Sequence, residues 1–431
     1  MSRPVRSLPV VQNWDCHACG TCCRWYHVAI SPEERKRIEA QGWDNEPDLR
    51  GRPLFVRTGG WFSSGVRLNQ KPDGACVFLG PNDRCRIHER YGSAAKPLAC
   101  RIYPYVLVPA GDHWKLGLRF ACPSVARSVG RPLAAHVGPA REYAAALEAA
   151  AAPGAVATHP PPLQRGQPTD WKDFARIVSA MSGLLAEADE YLERRWRKVL
   201  FVVELCRTTD LSSAPAGELS ELLRVLAETA EEEVPDYPDE VPPPGWTGRA
   251  VFRPFAGLYA RKDSGPDRGP ALRSSLGRLV SGWRFARGRG KVPRVHAAIP
   301  DTTFAAAESP LPELSDEAES LLTRWARVKL ESGQFCGPTN FGLGVWDGIE
   351  SLALAFTAIM WLARVLASDG RPTDDAVTLA VRIVDDNFGY NPLLKGQARG
   401  LRLLARRGEL TRLVAWYGKT LAEAMPADTG D

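Results

Sequence analysis

The sequence lacks most of the signatures that mark an enzyme. It has no glycine-rich phosphate loop, no HExxH helix and no Ser-His-Asp arrangement. It has no glycine-rich turn between a strand and a helix. The nearest approach, Gly342-Leu-Gly344-Val-Trp-Asp-Gly348, opens a helix with no clear strand before it. No internal repeat recurs. The first residues carry no apolar h-region and no small-residue cleavage site, so no secretory signal is expected. The longest apolar run, roughly Leu352 to Ala363, is short for a bilayer, and Asp347, Glu350 and Arg364 flank it. A buried core helix is the expectation there. Charge of one sign is missing too: 55 basic residues face 50 acidic ones, a net of +5. That excess is too mild to call for nucleic acid. These absences favour a soluble cytoplasmic protein with reduced thiols and no membrane partner.

What is present is ordinary in bulk and unusual in one place. The 431 residues suffice for two or three domains, and 44% hydrophobic with 24% charged residues is typical of a globular chain. The ten cysteines are not evenly spread. Cys16, Cys19, Cys22, Cys23, Cys76, Cys85, Cys100 and Cys122 precede residue 123, and only Cys206 and Cys336 follow. Even usage would place about three of the ten in that stretch, so the clustering marks a module.

Residues 16–23 read Cys-His-Ala-Cys-Gly-Thr-Cys-Cys. A C-x2-C turn brings two sulfurs to one side of a tight loop, and Gly20 gives that loop backbone freedom. A disulfide needs a Cα separation and dihedral that a vicinal pair or such a turn meets only with strain. Metal ligation is therefore the reading, and inert buried thiols the alternative. Eight thiolates suit two four-coordinate sites, or one iron–sulfur cluster plus one zinc. The C-x2-C-x2-C run is similar to that of bacterial ferredoxins, and Cys122-Pro123 could complete a ligand set. His17, His27 and His88 are spare candidate ligands. Cys22 and Cys23, if extended, would point apart and so would not share one ion. Cys206 and Cys336 are expected in the core.

Around these residues the elements are short. Ser31-Pro32-Glu33-Glu34 is a capping box, predicting a helix to about Gln41 stopped by Gly42. Leu54–Arg57 and Gly65–Leu68 read as strands, Cys76 to Cys85 as a hairpin, and Tyr105–Pro109 with His113–Phe120 as a strand pair. Arg131 to Ala152 reads as helix, and Pro153 to Pro168 as linker. Beyond it, Asp170 should cap a helical run carrying Phe174, Ile177, Val178, Met181, Leu184, Leu185, Tyr191 and Leu192. Helices follow at about Glu218–Glu233, Leu314–Leu330, Val345–Leu366, Thr373–Asp386 and Gly408–Ala424, with a loop from Pro235 to Trp246. The fold class is thus α+β: a small irregular cysteine module at 1–130, a helix and Pro/Gly/Ala-rich linker at 131–168, and a mostly α-helical region at 169–431.

Two groups of basic residues stand out. Arg24, Arg84, Arg86, Arg90 and Arg101 lie among the cysteines, and Arg101, directly after one, is the best candidate to offset thiolate charge. Arg268, Arg273, Arg278, Arg284, Arg287, Arg289, Lys291 and Arg294 form an acid-free stretch with Trp283 and Phe285 interleaved. It reads as a patch for an acidic partner or nucleic acid, or more plainly as a solvated basic helix.

The cysteine pattern resembles the YkgJ-type CxxCxxCC cysteine-cluster family of zinc- or iron-chelating domains. The matching residues are Cys16, Cys19, Cys22 and Cys23, then Gly74-x-Cys76-x-Phe78-Leu79. Cys85-x-Ile87-His88, Pro97-x-x-Cys100-Arg101-x-Tyr103-Pro104 and Cys122-Pro123 follow. All eight cysteines fall in place, over roughly residues 14 to 125. The resemblance implies a metal-binding protein holding zinc or an iron–sulfur cluster. One branch, the flagellin lysine N-methylases, joins such a module to a long helical part and uses S-adenosylmethionine. For this chain that implies an alternative, a methyltransferase acting on a flagellin-like protein partner. A metal-handling or maturation factor is the second alternative. No radical-enzyme motif supports the first, since C-x3-C at Cys19 and Cys23 lacks a cysteine at 26.

Overall fold

The helix Val345–Ala367 sets the architecture. It is 23 residues long, with an apolar stretch of mean hydropathy 1.7, and that whole stretch is buried inside the protein. The helix is therefore longer than the apolar run predicted. By length and composition it could cross a bilayer, but here a helix apolar on every side is wrapped by other helices. These are Thr373–Asn387, Glu409–Gly418, Leu192–Thr208, Trp246–Tyr259 and Gln397–Ala405. Trp346, Trp361, Leu352, Ile359 and Leu366 are fully buried on it. Each such large side chain contributes about 1.5–3 kcal/mol. The computed structural model describes residues 3–58, 65–150, 159–209, 216–405 and 407–422.

The architecture is α+β, with a cysteine-containing N-terminal part and a larger helical C-terminal part. Three small sheets belong to the N-terminal part. Val5–Arg6 pairs in parallel with His113–Leu118, which pairs antiparallel with Tyr105–Ala110. Asn13–Trp14 pairs with Arg131–Pro132. Ala29–Ile30 and Phe55–Thr58 flank Gly65–Leu68. The hairpin of residues 105–118 shares the main core with the helices: Leu116, Leu118 and Phe120 lie in one cluster with Ile177, Trp325 and Phe335. A second, smaller cluster holds Ile30, Ile38, Trp43, Leu49, Leu68, Cys76, Val77, Phe78 and Ile87.

Local rules account for much of this. Ser31 accepts from the Glu34 amide and Glu34 reaches back to Ser31, so Pro32–Glu39 starts on a full capping box. Asp170 accepts from the amides of Lys172 and Asp173 to start Trp171–Ala186. Three expectations need correction. The helix predicted from Arg131 begins at Val137, because Arg131–Pro132 is held as a strand against Asn13–Trp14. The hairpin predicted from Cys76 to Cys85 is shorter than expected: the antiparallel pair Leu79–Cys85 closes it around Asn82–Asp83, while Cys76 pairs outside it with Gln70. The last predicted helix is Glu409–Gly418, and its expected end at residues 423–424 lies outside the described residues. So does 153–158 of the linker, whereas Pro162 and Leu163 accept from the amides of Val345 and Trp346 and cap the central helix.

One titration follows from the core. Burial pushes the Glu350 carboxyl up to about 7, against the pull of Arg207. The folded chain thus holds this proton more tightly than the unfolded chain, whose glutamates titrate near ~4.3. The resulting stability is full below that value and is lost as pH rises through about 7. Glu350→Gln should therefore gain on the native chain between about pH 5 and about pH 8, read as the difference in urea midpoints. A pH-independent difference would contradict the burial effect.

Candidate metal centre

The centre is built from the helix Thr21–Trp25 outward. Gly20 precedes it with φ 66°, a left-handed conformation that glycine adopts freely. A Cβ there would meet Asp83 Oδ1 at 3.0 Å, and Arg24 holds that carboxylate at 2.6 Å. Both demands fall on one residue. Gly20→Ala should cost about 1–2 kcal/mol from the backbone alone, and should speed metal loss to a chelator. An unchanged release rate would show that the turn is not needed for the site.

The helix changes one expectation. Cys22 and Cys23 are not extended but helical neighbours, and their thiols hydrogen-bond to each other. That bond, then burial, pushes the Cys22 thiol well up. The Cys76 amide donates to the Cys23 carbonyl at 2.7 Å, which stitches the second cysteine segment to the first. Burial, with the nearby sulfurs of Cys100, Cys85 and Cys22, pushes Cys76 up to about 12. Cys100, on the helix Leu98–Ile102, is also pushed up to about 12, mainly by burial. Cys85 stands at the start of Arg86–Tyr91. Five thiols from four segments thus share one neighbourhood.

A cation sits among them. Burial works to lower the Lys96 pKa, yet the sulfurs of Cys100, Cys85, Cys22 and Cys23 raise it overall. The sequence reading passed over Lys96 and favoured arginines that the structure occupies elsewhere. Arg24 pairs with Asp83, Arg86 with Asp48, and Arg90 with Glu46. Arg101 lies over the Tyr143 ring at 5.9 Å. The signal for Lys96 was present in Lys96-Pro97-Leu-Ala-Cys100, one helical turn from the cysteine.

The remaining cysteines have other neighbours. Cys122 starts the turn Pro123–Ala126, where burial raises its thiol while the Val125 and Ser124 amides and Trp14 ease it. Cys19 lies within electrostatic reach of Cys122, and Arg382 within reach of both. Cys16 is exposed and close enough to Tyr105 to affect it. Tyr103 is in electrostatic reach of both Cys122 and Cys22. His17 contacts Ser124 Oγ at 3.1 Å, beside Cys122, and His88 lies near Lys96. His27 is turned toward Gln70, Arg67 and Lys262. Cys206 and Cys336 are buried in the main core.

The sulfurs are gathered but not closed on a point. Among the described residues, only Glu187, Glu190 and Glu231 bring three ligand atoms within 4.8 Å of one another, and buried Lys198 already pairs with all three. One tetrahedral ion with bonds of ~2.3 Å would hold sulfurs about 3.8 Å apart. The donor set fits zinc or iron in its chemistry.

The cysteine helix is fastened to the helical region by buried charges. Tyr26 donates to Asp386 Oδ1 at 2.8 Å, and Arg119 reaches the same oxygen at 3.1 Å. Lys262 pairs with Asp386 at 2.6 Å, and Lys329 with Asp385 at 2.6 Å. The Ala121 amide, one residue before Cys122, donates to Asp385. Trp25 lies between Lys262 and Arg382, each 5.0 Å from its ring. The sequence showed none of these partners; the bonds from Tyr26 and Ala121 span 360 and 264 residues of chain.

No curated protein and no solved structure matches the chain. Residues 15–122 match the family model described as CxxCxxCC, putative zinc- or iron-chelating domain. That segment holds all eight clustered cysteines, and it is this segment, rather than the whole chain, that is similar to the CxxCxxCC zinc- or iron-chelating domain.

Proposed function

We propose that this protein binds metal through its eight N-terminal cysteines, in two adjoining groups. Cys22, Cys23, Cys76, Cys85 and Cys100 supply one group, and Cys16, Cys19 and Cys122 the other. The observation that carries this reading is Lys96, a half-buried ammonium whose charged form is favoured by four sulfurs drawn from three segments. A cation so placed offsets the negative charge that several thiolates bring to one centre. The spread of the sulfurs favours a polynuclear iron–sulfur cluster, in which each thiolate binds its own iron, over one zinc ion that all must touch. The eight thiols would then work in a reducing compartment such as the cytoplasm.

Methyl transfer with S-adenosylmethionine gains no support from the fold. Among the described residues the parallel pairing is confined to Val5–Arg6 with Trp114–Lys115 and the bridge Leu311–Thr420. The stretch Gly342–Gly348 follows a 3-10 turn, Pro338–Asn340, and not a strand.

Alkylation of the native protein followed by peptide mapping tests the ligand set. With metal bound, the eight cysteines should resist labelling. After chelation they should react, while Cys206 and Cys336 should label only on unfolding. Equal labelling of the eight with and without metal would remove the proposal. Because burial holds Cys76 and Cys100 as thiols at neutral pH, loading should also release protons, and affinity should rise with pH.

A further inference from the structure

The helix Ser275–Arg287 is attached along one narrow stripe. Only Ser281 and Phe285, four residues apart, are buried on it, and Phe285 packs edge-on against Phe304. The opposite face carries Leu276, Leu279, Val280 and Trp283, at i, i+3, i+4 and i+7. These side chains are 71%, 73%, 38% and 59% exposed. An apolar stripe at that spacing is usually the buried one, and here it faces solvent.

Arginines frame it. Arg273, Arg284, Arg287 and Arg289 are all exposed, and among the described residues none has a carboxylate partner. Arg287 lies over the Trp283 ring at 5.1 Å. Residues 268–294 contain no acid at all. The helix is well terminated, with Ser274 accepting from Gly277 at one end and Gly288 in a left-handed cap at the other. It is a formed element presenting this face.

We propose that the helix Ser275–Arg287 docks on an anionic phospholipid surface, with Leu276, Leu279, Val280 and Trp283 entering the acyl boundary. Arg273, Arg284, Arg287 and Arg289 would then meet the lipid phosphates. Tryptophan and arginine at the rim of an apolar stripe suit the interface between headgroups and chains. Nucleic acid would use the arginines but has no place for two exposed leucines and a valine at one helical face. The charge calls for an anionic surface, and the apolar stripe calls for one with an oily interior. This reverses the expectation of no membrane drawn from hydropathy, which registers spanning segments and not helices that lie on a surface.

The test is flotation of the whole protein with vesicles. One set is phosphatidylcholine alone, and the other contains about one third phosphatidylserine. The protein should float with the anionic vesicles and not with the neutral ones, and salt should weaken the association. Leu279→Gln with Trp283→Gln should lower the bound fraction roughly tenfold, as should Arg284→Gln with Arg287→Gln. Val225→Gln, an exposed apolar position on another helix, should change nothing. All these sites are exposed, and circular dichroism is the check that each variant is folded. No flotation, or flotation indifferent to the four substitutions, would overturn the proposal. So would binding of single-stranded RNA or polyglutamate that needs these residues while the vesicles stay unbound.

Discussion

Replacing Cys100 by serine is expected to strip the protein of most of its metal and to loosen residues 28–91, while the helical region stays folded. The small cluster of Ile30, Ile38, Trp43, Leu68, Val77, Phe78 and Ile87 lies directly beneath the cysteine segments. It is joined by short turns, isolated bridges and one small three-stranded sheet, and Cys76 is itself a member. Such a core is too small to be stable alone, so metal binding should supply folding free energy there. The hairpin of residues 105–118 should behave differently, because it shares the main core with the helices. Limited proteolysis reads this directly. Cleavage should appear first between residues 28 and 91 in the variant or in chelated protein, with the hairpin and helices protected. Equal resistance of that segment with and without metal would contradict the coupling.

Asp385→Ala should be the most destabilising single change in the helical region. Asp385 is fully buried, and so is its partner Lys329, 2.6 Å away. It also accepts from the Ala121 amide at 3.0 Å and the Trp325 indole at 3.3 Å. Removing the carboxylate leaves an ammonium with no counter-charge at that distance, and burial already lowers the Lys329 pKa. Breaking such a pair costs about 3–5 kcal/mol. Replacing both partners, Asp385→Leu with Lys329→Met, should recover most of it, because no charge is then stranded. Urea midpoints of the three proteins measure this. A double variant no better than the single one would show that the bond to the Ala121 amide, rather than the charge pair, is what matters. The single variant should also lower metal retention, since Ala121 adjoins Cys122.

The cysteine pattern was legible because ligand spacing is a local property of the chain. The capping box at Ser31, the cap at Asp170 and the strand pair around Ala110–Asp112 were legible for the same reason. Several helices were not. Trp246–Tyr259 contains Pro254, which reads as a break. Leu192–Thr208 buries Glu193, Arg194, Arg195, Arg197 and Lys198, so its apolar period is interrupted by charges. Those charges are satisfied by Glu190, Glu231, Glu319 and by one another, across distances that no local pattern encodes. The same holds at the candidate centre. Lys96 is one turn from Cys100 and could have been seen, but Arg382, Asp385 and Asp386 come from a helix far along the chain. The vicinal cysteines were expected to diverge because the reading assumed an extended backbone, and the helix beginning at Thr21 places them otherwise.

The central claim is that thiolates of the N-terminal segment hold the metal. It is tested most directly by X-ray absorption at the metal edge of protein purified without oxygen, with metal content measured on the same sample. The native chain should carry zinc or iron in a shell dominated by sulfur at about 2.3 Å. The variant with Cys22, Cys76, Cys85 and Cys100 all changed to serine should lose that shell and most of the metal. A shell of oxygen and nitrogen alone, or full metal content in the four-serine variant, would contradict it.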